Sequence, residues 1–258
     1  MVQITINNKE IEAPEESTIL EVARQHGIDI PTLCYHEALE PYGVCRLCLV
    51  EVSGSLRRGL RISCVQNVVD GMIVETHSDR VIKNRQLLFE LLLARSPDAN
   101  QLADLAARHG VHESRFYIGD TDDNCVRCGL CVRVCRDKIG AFAICFAHRG
   151  YDRKVTTDFE ALSEYCIGCG TCAQLCPTGA IWMKDEGTER TIYTRDVVIG
   201  KFELETCALC GTPYASRKYL DYVMRNSDEA MSVETNRGVC PACARKAGAV
   251  NIVGSMTL

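Results

Sequence analysis

The run Cys125-Val-Arg-Cys128-Gly-Leu-Cys131-Val-Arg-Val-Cys135 occurs again as Cys166-Ile-Gly-Cys169-Gly-Thr-Cys172-Ala-Gln-Leu-Cys176, 41 residues further along the chain. A C-x2-C-x2-C loop supplies three thiolates to one [4Fe–4S] cluster, and the fourth cysteine of each copy ligates the cluster of the other copy. The repeat therefore predicts a duplicated unit with two [4Fe–4S] clusters. Cluster I would use Cys125, Cys128, Cys131 and Cys176, and cluster II would use Cys135, Cys166, Cys169 and Cys172.

The segments around the two copies support this prediction. Each copy is followed by a Gly-Ala pair and an apolar, strand-like piece, at residues 140–144 and 179–182. Gly129, Gly168 and Gly170 let backbone N–H groups approach the sulfurs, where hydrogen bonds tune the potential. The alternative is a pair of structural zinc knuckles or disulfides, but a zinc site usually takes two C-x2-C pairs rather than two quartets.

Another cysteine set lies near the N-terminus, with the spacing C-x10-C-x2-C-x15-C. A [2Fe–2S] centre takes four thiolates, two on each iron, and in this set a long loop supplies three of them before a distant strand end supplies the fourth. A zinc site on the same loop is the alternative. The predicted [2Fe–2S] ligands are Cys34, Cys45, Cys48 and Cys64.

The sequence around this set predicts a β-grasp domain. Asn7-Asn8 is a turn signal between two alternating segments, and Thr18 with Glu21 forms a capping box at the start of a helix. The predicted strands cover residues 2–6, 10–13, 49–52 and 72–76. Strands and one helix around a long cysteine loop suggest a β-grasp arrangement, which in turn favours iron over zinc at this cysteine set.

A helical pattern follows the predicted β-grasp domain. Residues 79–95 form the first predicted helix, and residues 100–109, which end at Gly110, form the second. The apolar face of the first helix is predicted to carry Val81, Ile82, Leu87, Leu88, Leu91 and Leu92. The two helices would connect two cofactor-binding modules.

The last cysteine set pairs Cys207-Ala-Leu-Cys210 with Cys240-Pro-Ala-Cys243 across 29 residues. Two C-x2-C turns that meet tetrahedrally suit a closed structural zinc site. A further iron–sulfur cluster is the alternative, because the other sets predict a chain that is loaded with iron. The spacing alone does not decide between the two.

Some residues near these sets have no assigned role. Cys145 is the one cysteine of 17 outside the four sets, and its apolar neighbours predict a buried, inert thiol. Four arginines adjoin the predicted ligands and either raise the cluster potentials or face solvent or a partner: Arg46, Arg127, Arg133 and Arg136.

The sequence predicts an α+β protein with four parts. They are a β-grasp [2Fe–2S] domain at residues 1–78, a helical connector at 79–118, a twin [4Fe–4S] ferredoxin-like domain at 119–200 and a small four-cysteine metal knuckle at 201–258. The boundary at 119 rests on the polar run 119–124.

Composition and missing motifs exclude several classes of protein. A charge of −5 with no long Lys/Arg run argues against nucleic-acid binding. The longest apolar stretch, at residues 87–94, is far short of the roughly 20 residues that a membrane span needs. The N-terminal sequence carries no export signal, so we expect a cytoplasmic protein. Flavin, nicotinamide, nucleotide and hydrolase motifs are missing, which predicts a chain without an active site of its own.

The chain also resembles a known family. The residues that carry the resemblance are Leu33-Cys34-Tyr35-His36, Gly43-Val-Cys45-Arg-Leu-Cys48-Leu-Val-Glu-Val52, Ser63-Cys64 and Asp70-Gly71-Met72, followed by the twin repeat. Together they resemble the N-terminal region of the large iron–sulfur subunit of respiratory complex I. The same region occurs in the diaphorase iron–sulfur subunit of NAD-reducing hydrogenases, in iron-only hydrogenases and in NAD-dependent formate dehydrogenases.

One departure from this family concerns a cluster with one His and three Cys ligands, which the relatives usually carry between the two modules. Residues 65–124 contain no cysteine, which predicts that this cluster is absent. His109 and His112 are therefore predicted to be ordinary helix-end or loop residues. The sequence also stops where those relatives continue into a molybdenum or hydrogen-activating domain.

The resemblance implies a subunit that relays single electrons in a multi-subunit oxidoreductase, with electron bifurcation as an open possibility. It implies a flavin-bearing, NADH-oxidising partner, a thioredoxin-like [2Fe–2S] partner, and a hydrogenase, formate dehydrogenase or similar catalytic subunit. Two alternatives stay open: a self-sufficient iron–sulfur reductase, and a zinc-binding structural or regulatory protein.

Overall fold

The computed structural model describes residues 1–54, 58–117, 124–195, 197–226 and 238–246. It forms two compact units, and two chain segments contribute to each. The first unit contains Met1–Arg133 and Cys176–Ala180, and the second contains Val134–Leu175 and Ile181–Leu258. The polar run that marks the predicted boundary at residue 119 lies, except for Asn124, outside the described residues. The four domain ranges therefore stay a prediction.

The first unit begins with a five-stranded sheet in the order β2-β1-β5-β3-β4. Strands β1 and β5 are parallel and the other neighbours are antiparallel, which is the β-grasp arrangement that the sequence predicts. The strands are β1 (Val2–Ile6), β2 (Lys9–Ala13), β3 (Leu49–Ser53), β4 (Gly59–Ile62) and β5 (Met72–Glu75). Only β4 was not predicted from the sequence.

Helix α1 (Ile19–Gln25) contributes four buried residues to the core that it shares with the sheet. The predicted capping box is confirmed: the Glu21 amide donates to Thr18 Oγ1 and the Thr18 amide donates to the Glu21 carboxylate. The predicted turn at Asn7-Asn8 is also confirmed, since both residues have positive φ, a conformation that asparagine tolerates better than most residues.

The two predicted connector helices are α2 (Asp79–Arg95) and α3 (Asn100–Arg108). The predicted apolar face of α2 is partly wrong, because Ile82 and Leu91 are exposed. The buried face of α2 instead carries Val81, Arg85, Phe89 and Leu93, which are spaced four residues apart. Three of these four residues are apolar, and the fourth is an arginine.

Arg85 is 2% exposed and donates hydrogen bonds to three backbone carbonyls. Two acceptors, Leu47 and Leu49, flank Cys48 in the cysteine loop, and the third is Thr76, just after β5. A planar guanidinium can bind several acceptors at once, and buried carbonyls need such partners. Arg85 thus fixes the second half of the cysteine loop to the connector.

The first unit also contains the short helix α4 (Leu130–Arg133). A π-helical segment, Val134–Ile139, follows in sequence and begins the second unit.

The second unit contains the short helix α5 (Thr171–Gln174) and the strand pair β6 (Cys145–Ala147) and β7 (Lys154–Thr156). Residues 140–144 form no strand, so the strand predicted after the first cysteine copy is wrong. The strand predicted after the second copy is confirmed as the start of β8.

The second unit also contains a four-stranded antiparallel sheet in the order β11-β10-β9-β8. The sheet is followed by helix α6 (Arg217–Asn226). Its strands are β8 (Ile181–Glu186), β9 (Glu189–Thr194), β10 (Val198–Thr206) and β11 (Pro213–Ser216).

In the described part of the chain, no helix has both the length and the apolar character that crossing a membrane requires.

We predict that Arg85→Leu lowers the free energy of unfolding by about 2–4 kcal/mol, because it leaves buried carbonyls without donors. Arg80→Leu on the same helix is the matched control, since the Arg80 side chain is 59% exposed and should matter little. Urea denaturation of the anaerobic protein measures both. Equal effects of the two substitutions would contradict the role given to Arg85.

Candidate cluster sites

The predicted [2Fe–2S] ligands form two thiol pairs. Cys34 and Cys45 are hydrogen bonded to each other, and Cys48 and Cys64 form the second pair. The bond from Cys45 is the main reason that the pKa of Cys34 falls to about 6, and the bond from Cys64 likewise lowers the pKa of Cys48 to about 7. All four residues are buried. Two pairs of thiols fit a centre that takes two thiolates on each of its two irons.

Arg133 joins this loop to the predicted cluster I loop. Its guanidinium donates to the Cys34 carbonyl and to the Glu40 carbonyl, at 2.7 Å in both cases, and lies 5.1 Å from the centre of the Tyr42 ring. Arg133 ends helix α4, two residues after Cys131. At 7% exposure it is buried, so the interpretation of Arg133 as a solvated or partner-facing residue is wrong.

The predicted cluster I ligands all belong to the first unit, although Cys176 lies 45 residues after Cys131 in the sequence. Burial raises the pKa of Cys128 to about 12, and the nearby Cys176, Cys125 and Cys34 add to the rise. The Ala180 amide donates to Cys176 Sγ at 3.1 Å. The [2Fe–2S] ligand set and the cluster I ligand set thus belong to the same unit.

The predicted cluster II ligands all belong to the second unit and line one cavity. Apolar side chains that include Val134, Ile139, Ile192 and Ile199 complete its wall. The Ala143 amide donates to Cys135 Sγ at 3.3 Å, and Thr171 Oγ1 donates to Cys169 Sγ at 3.5 Å. An apolar cavity with four thiols and hydrogen bonds to sulfur fits a [4Fe–4S] cluster.

Glycines next to the ligands have the conformation that the sequence predicts. Gly129, Gly168 and Gly170 all have positive φ, and the Gly168 amide hydrogen bonds to Cys166. A side chain at Gly168 would meet the Phe202 ring at 2.6 Å, so only glycine fits there. These loops depend on glycine for both backbone conformation and space.

The C-terminal set is the most compact of the four. The Sγ atoms of Cys207, Cys210, Cys240 and Cys243 all lie within 4.8 Å of one another. Among the described residues, no other group of three or more His, Cys, Asp or Glu side chains is close enough together to surround one metal ion.

Cys145 is only partly buried, so the prediction of a fully buried thiol is wrong. It lies on β6 with its Sγ 3.8 Å from Asp158 Oδ1. Partial burial and the Asp158 carboxylate raise the pKa of Cys145, which agrees with the low reactivity that the sequence predicts.

His109 caps the end of α3, and its ring stacks on Phe89 at 5.1 Å. The prediction that His109 is a helix-end residue is confirmed. Arg85 was missed by sequence reasoning, although its four-residue spacing from Val81 and Phe89 was a usable sign of burial.

We predict that Arg133→Gln lowers the reduction potential of the [2Fe–2S] centre, because a buried positive charge favours the more negative, reduced state. Arg46→Gln is the control: Arg46 lies between two ligands but is exposed, so solvent screens its charge. Arg133→Lys should retain most of the potential. Redox titration followed by electron paramagnetic resonance (EPR) measures all three, and an equal shift in the Gln variants would contradict this role.

Two double variants test the exchange of fourth ligands. If Cys176 belongs to cluster I, Cys125→Ser with Cys176→Ser removes one cluster, about four irons, and Cys125→Ser with Cys135→Ser removes both, about eight irons. The opposite pattern would contradict the exchange. Iron analysis gives the counts, and the [2Fe–2S] absorption shows whether each variant remains folded.

Comparison with known proteins identifies two of the predicted kinds of domain. Residues 1–79 match the family model of a 2Fe-2S iron-sulfur cluster binding domain, and residues 162–182 match that of a 4Fe-4S binding domain. The first range contains the whole [2Fe–2S] set, and the second contains all four cysteines of the second copy.

Two curated relatives have similar levels of identity. The chain is 34% identical over 206 residues to an NADH-quinone oxidoreductase subunit of Rhizobium meliloti, covering 70% of this chain and 24% of that protein. It is 35% identical over 212 residues to the NADP-reducing hydrogenase subunit HndD of Solidesulfovibrio fructosivorans, covering 70% of this chain and 36% of that protein. The chain thus spans about a quarter to a third of these relatives.

A solved structure has a similar fold. A chain from the crystal structure of an NAD+-reducing [NiFe]-hydrogenase in the H2-reduced state superposes with a TM-score of 0.59 at 28% identity. The match covers 69% of this chain and 85% of that chain. The predicted resemblance is therefore confirmed: this chain is similar to subunits of NADH-quinone oxidoreductases and of NAD(P)-reducing hydrogenases.

Proposed function

We propose that this chain relays single electrons between a flavin-bearing NAD(H) subunit and a catalytic subunit of a multi-subunit oxidoreductase. The catalytic subunit would be a hydrogenase, a formate dehydrogenase or a similar enzyme. The observation that carries the proposal is the direct link, through Arg133, between the loop of the [2Fe–2S] ligands and the helix of the cluster I ligands.

The proposed groups are one [2Fe–2S] cluster and two [4Fe–4S] clusters, held by the three ligand sets described above. When bound, these clusters accept and release one electron at a time without making or breaking a substrate bond. The residues of the chain hold the sulfurs in place, donate hydrogen bonds to them and exclude water from them. Burial of the [2Fe–2S] set and the apolar wall around the cluster II set both serve this exclusion.

The connector supports an arrangement without a His-ligated cluster. His109 stacks on Phe89, and residues 65–124 contain no cysteine. Arg133 connects the [2Fe–2S] loop directly to helix α4 of the cluster I set, which supports a route with no further centre between the two sets. A separate intermediate cluster supplied by a partner is then unnecessary.

The proposed partners follow from the relatives. One is named an NADH-quinone oxidoreductase subunit and another an NADP-reducing hydrogenase subunit. We propose that an NADH-oxidising flavin subunit, together with a thioredoxin-like [2Fe–2S] subunit, meets this chain at its β-grasp end. The catalytic subunit would take or give electrons elsewhere on the chain, in a cytoplasmic complex.

Anaerobic reduction of the purified chain tests this function. Dithionite should reduce all three centres, and NADH alone should reduce none of them, whereas NADH with a purified flavin subunit of an NAD-reducing hydrogenase should restore reduction. EPR and visible bleaching follow the reaction. Reduction by NADH or hydrogen alone would favour the self-sufficient reductase, and a colourless, metal-replete chain would favour the zinc-binding structural protein.

A further inference from the structure

We propose that Cys207, Cys210, Cys240 and Cys243 bind a single Zn2+, and that this ion holds the C-terminal strands and helix over the cluster II ligands. The family matches end before Cys207, so neither match assigns a role to these four cysteines. The part of the proposal that concerns cluster II rests on the proposed function, whereas the zinc site does not.

The four thiols are arranged round one point. Hydrogen bonds or sulfur contacts join Cys207 to Cys210 and Cys243, join Cys210 to Cys240 and Cys243, and join Cys240 to Cys243. Only the pair Cys207 and Cys240 lacks such a thiol contact, and there the Cys240 amide donates to Cys207 Sγ at 3.3 Å. Five of the six sulfur pairs are thus in contact, and all six lie within the 4.8 Å that one central ion allows.

The distances fit one ion rather than a cluster. A zinc ion with Zn–S bonds of about 2.3 Å places its thiolates about 3.8 Å apart. The Cys210 and Cys240 sulfurs are 3.8 Å apart, and all four lie within 4.8 Å of one another. In a cubane each thiolate binds a different iron, which spreads the sulfurs across the cluster. The four sulfurs lie too close together for a cluster. Zinc is the metal that best suits a tetrahedral site of four sulfurs.

Backbone and hydroxyl hydrogen bonds position these sulfurs. Backbone amides of Cys240, Cys210 and Leu209 bond to Cys207. The backbone and hydroxyl of Thr212 bond to Cys210. Such bonds stabilise the thiolate form that a metal requires and fix the ligand orientation.

The knuckle connects to strands that cover the cluster II set. Cys207 directly follows β10, and Ile199 on β10 lines the cavity that contains the cluster II cysteines. On the next strand, Ser216 Oγ donates to the Ile167 carbonyl at 2.5 Å, between two cluster II ligands. On α6, the Tyr222 hydroxyl donates to the Ile139 carbonyl at 2.5 Å.

The knuckle also closes a chain loop. The Ala208 amide donates to the Gly238 carbonyl at 2.7 Å, and the Cys207 amide donates to the Thr212 carbonyl at 3.0 Å. A metal ion held by the four cysteines would tie the ends of β10 and β11 to residues 238–246. Loss of the ion would loosen the same strands that shield the cluster II cysteines from water.

Metal analysis of the anaerobic full chain tests the zinc site. The wild-type protein should contain about one zinc and about ten irons. The double variant Cys210→Ser with Cys243→Ser should lose the zinc and keep the irons, and Cys145→Ser, which removes the cysteine outside all four sets, should keep both. About eleven irons without zinc would indicate a single iron at this site, and about fourteen irons would indicate a further cluster. Either count would overturn the zinc assignment.

Air exposure tests the effect on cluster II. The zinc-free double variant should lose cubane iron several-fold faster than wild type, while its [2Fe–2S] absorption decays at the wild-type rate. Equal cubane decay in both proteins would overturn the bracing role while leaving the zinc site intact. A wild-type count well below ten irons would instead count against the proposed function.

Cobalt substitution provides a test that does not depend on the variants folding. The wild-type chain is produced in zinc-depleted medium that contains Co2+ and purified anaerobically, and its difference spectrum against the zinc-containing chain is recorded. Intense d–d and sulfur-to-cobalt bands of a tetrahedral tetrathiolate are expected. Weak bands of an octahedral, oxygen-ligated ion would overturn the assignment.

Discussion

The guanidinium of Arg133 is the contact on which the arrangement of the first unit depends. It leaves helix α4 just after a predicted cluster I ligand and donates to carbonyls at Cys34 and Glu40, 99 and 93 residues earlier in the chain. A buried cation is costly to desolvate unless its donors are bound, which explains why both acceptors lie at hydrogen-bonding distance. Arg85 makes the same kind of contact on the other half of the cysteine loop. Two buried arginines therefore hold a loop that has little regular structure of its own.

The four cysteine sets differ in how their sulfurs are grouped, and this difference matches the metal that each is proposed to bind. The β-grasp set forms two pairs, and the C-terminal set forms one tetrahedron. The cluster II set, by contrast, lines an apolar cavity. On this proposal the same side chain would support three kinds of site, and the backbone around it would decide which.

The sequence was a good guide where chemistry restricts it. Cysteine spacing, the capping box at Thr18 and the start of α2 after Ser78 all follow local rules, and the structure has each element where the pattern predicts it. The sheet β8–β11 was predicted only at its first strand, because its pairing depends on long-range contacts that alternation alone does not reveal. The roles of Arg85 and Arg133 were missed or misjudged for a related reason: their acceptors are backbone carbonyls, which carry no sequence signature.

The proposed electron relay requires above all that the [2Fe–2S] and cluster I centres are neighbours with no third centre between them. Microwave power saturation of the [2Fe–2S] EPR signal in the fully reduced chain measures this directly, because a nearby paramagnet speeds relaxation. We expect the signal to saturate at higher power in the wild-type chain than in a variant in which Cys125→Ser and Cys176→Ser remove cluster I. Identical saturation in the two proteins would mean that the centres are isolated from each other, and would contradict the relay.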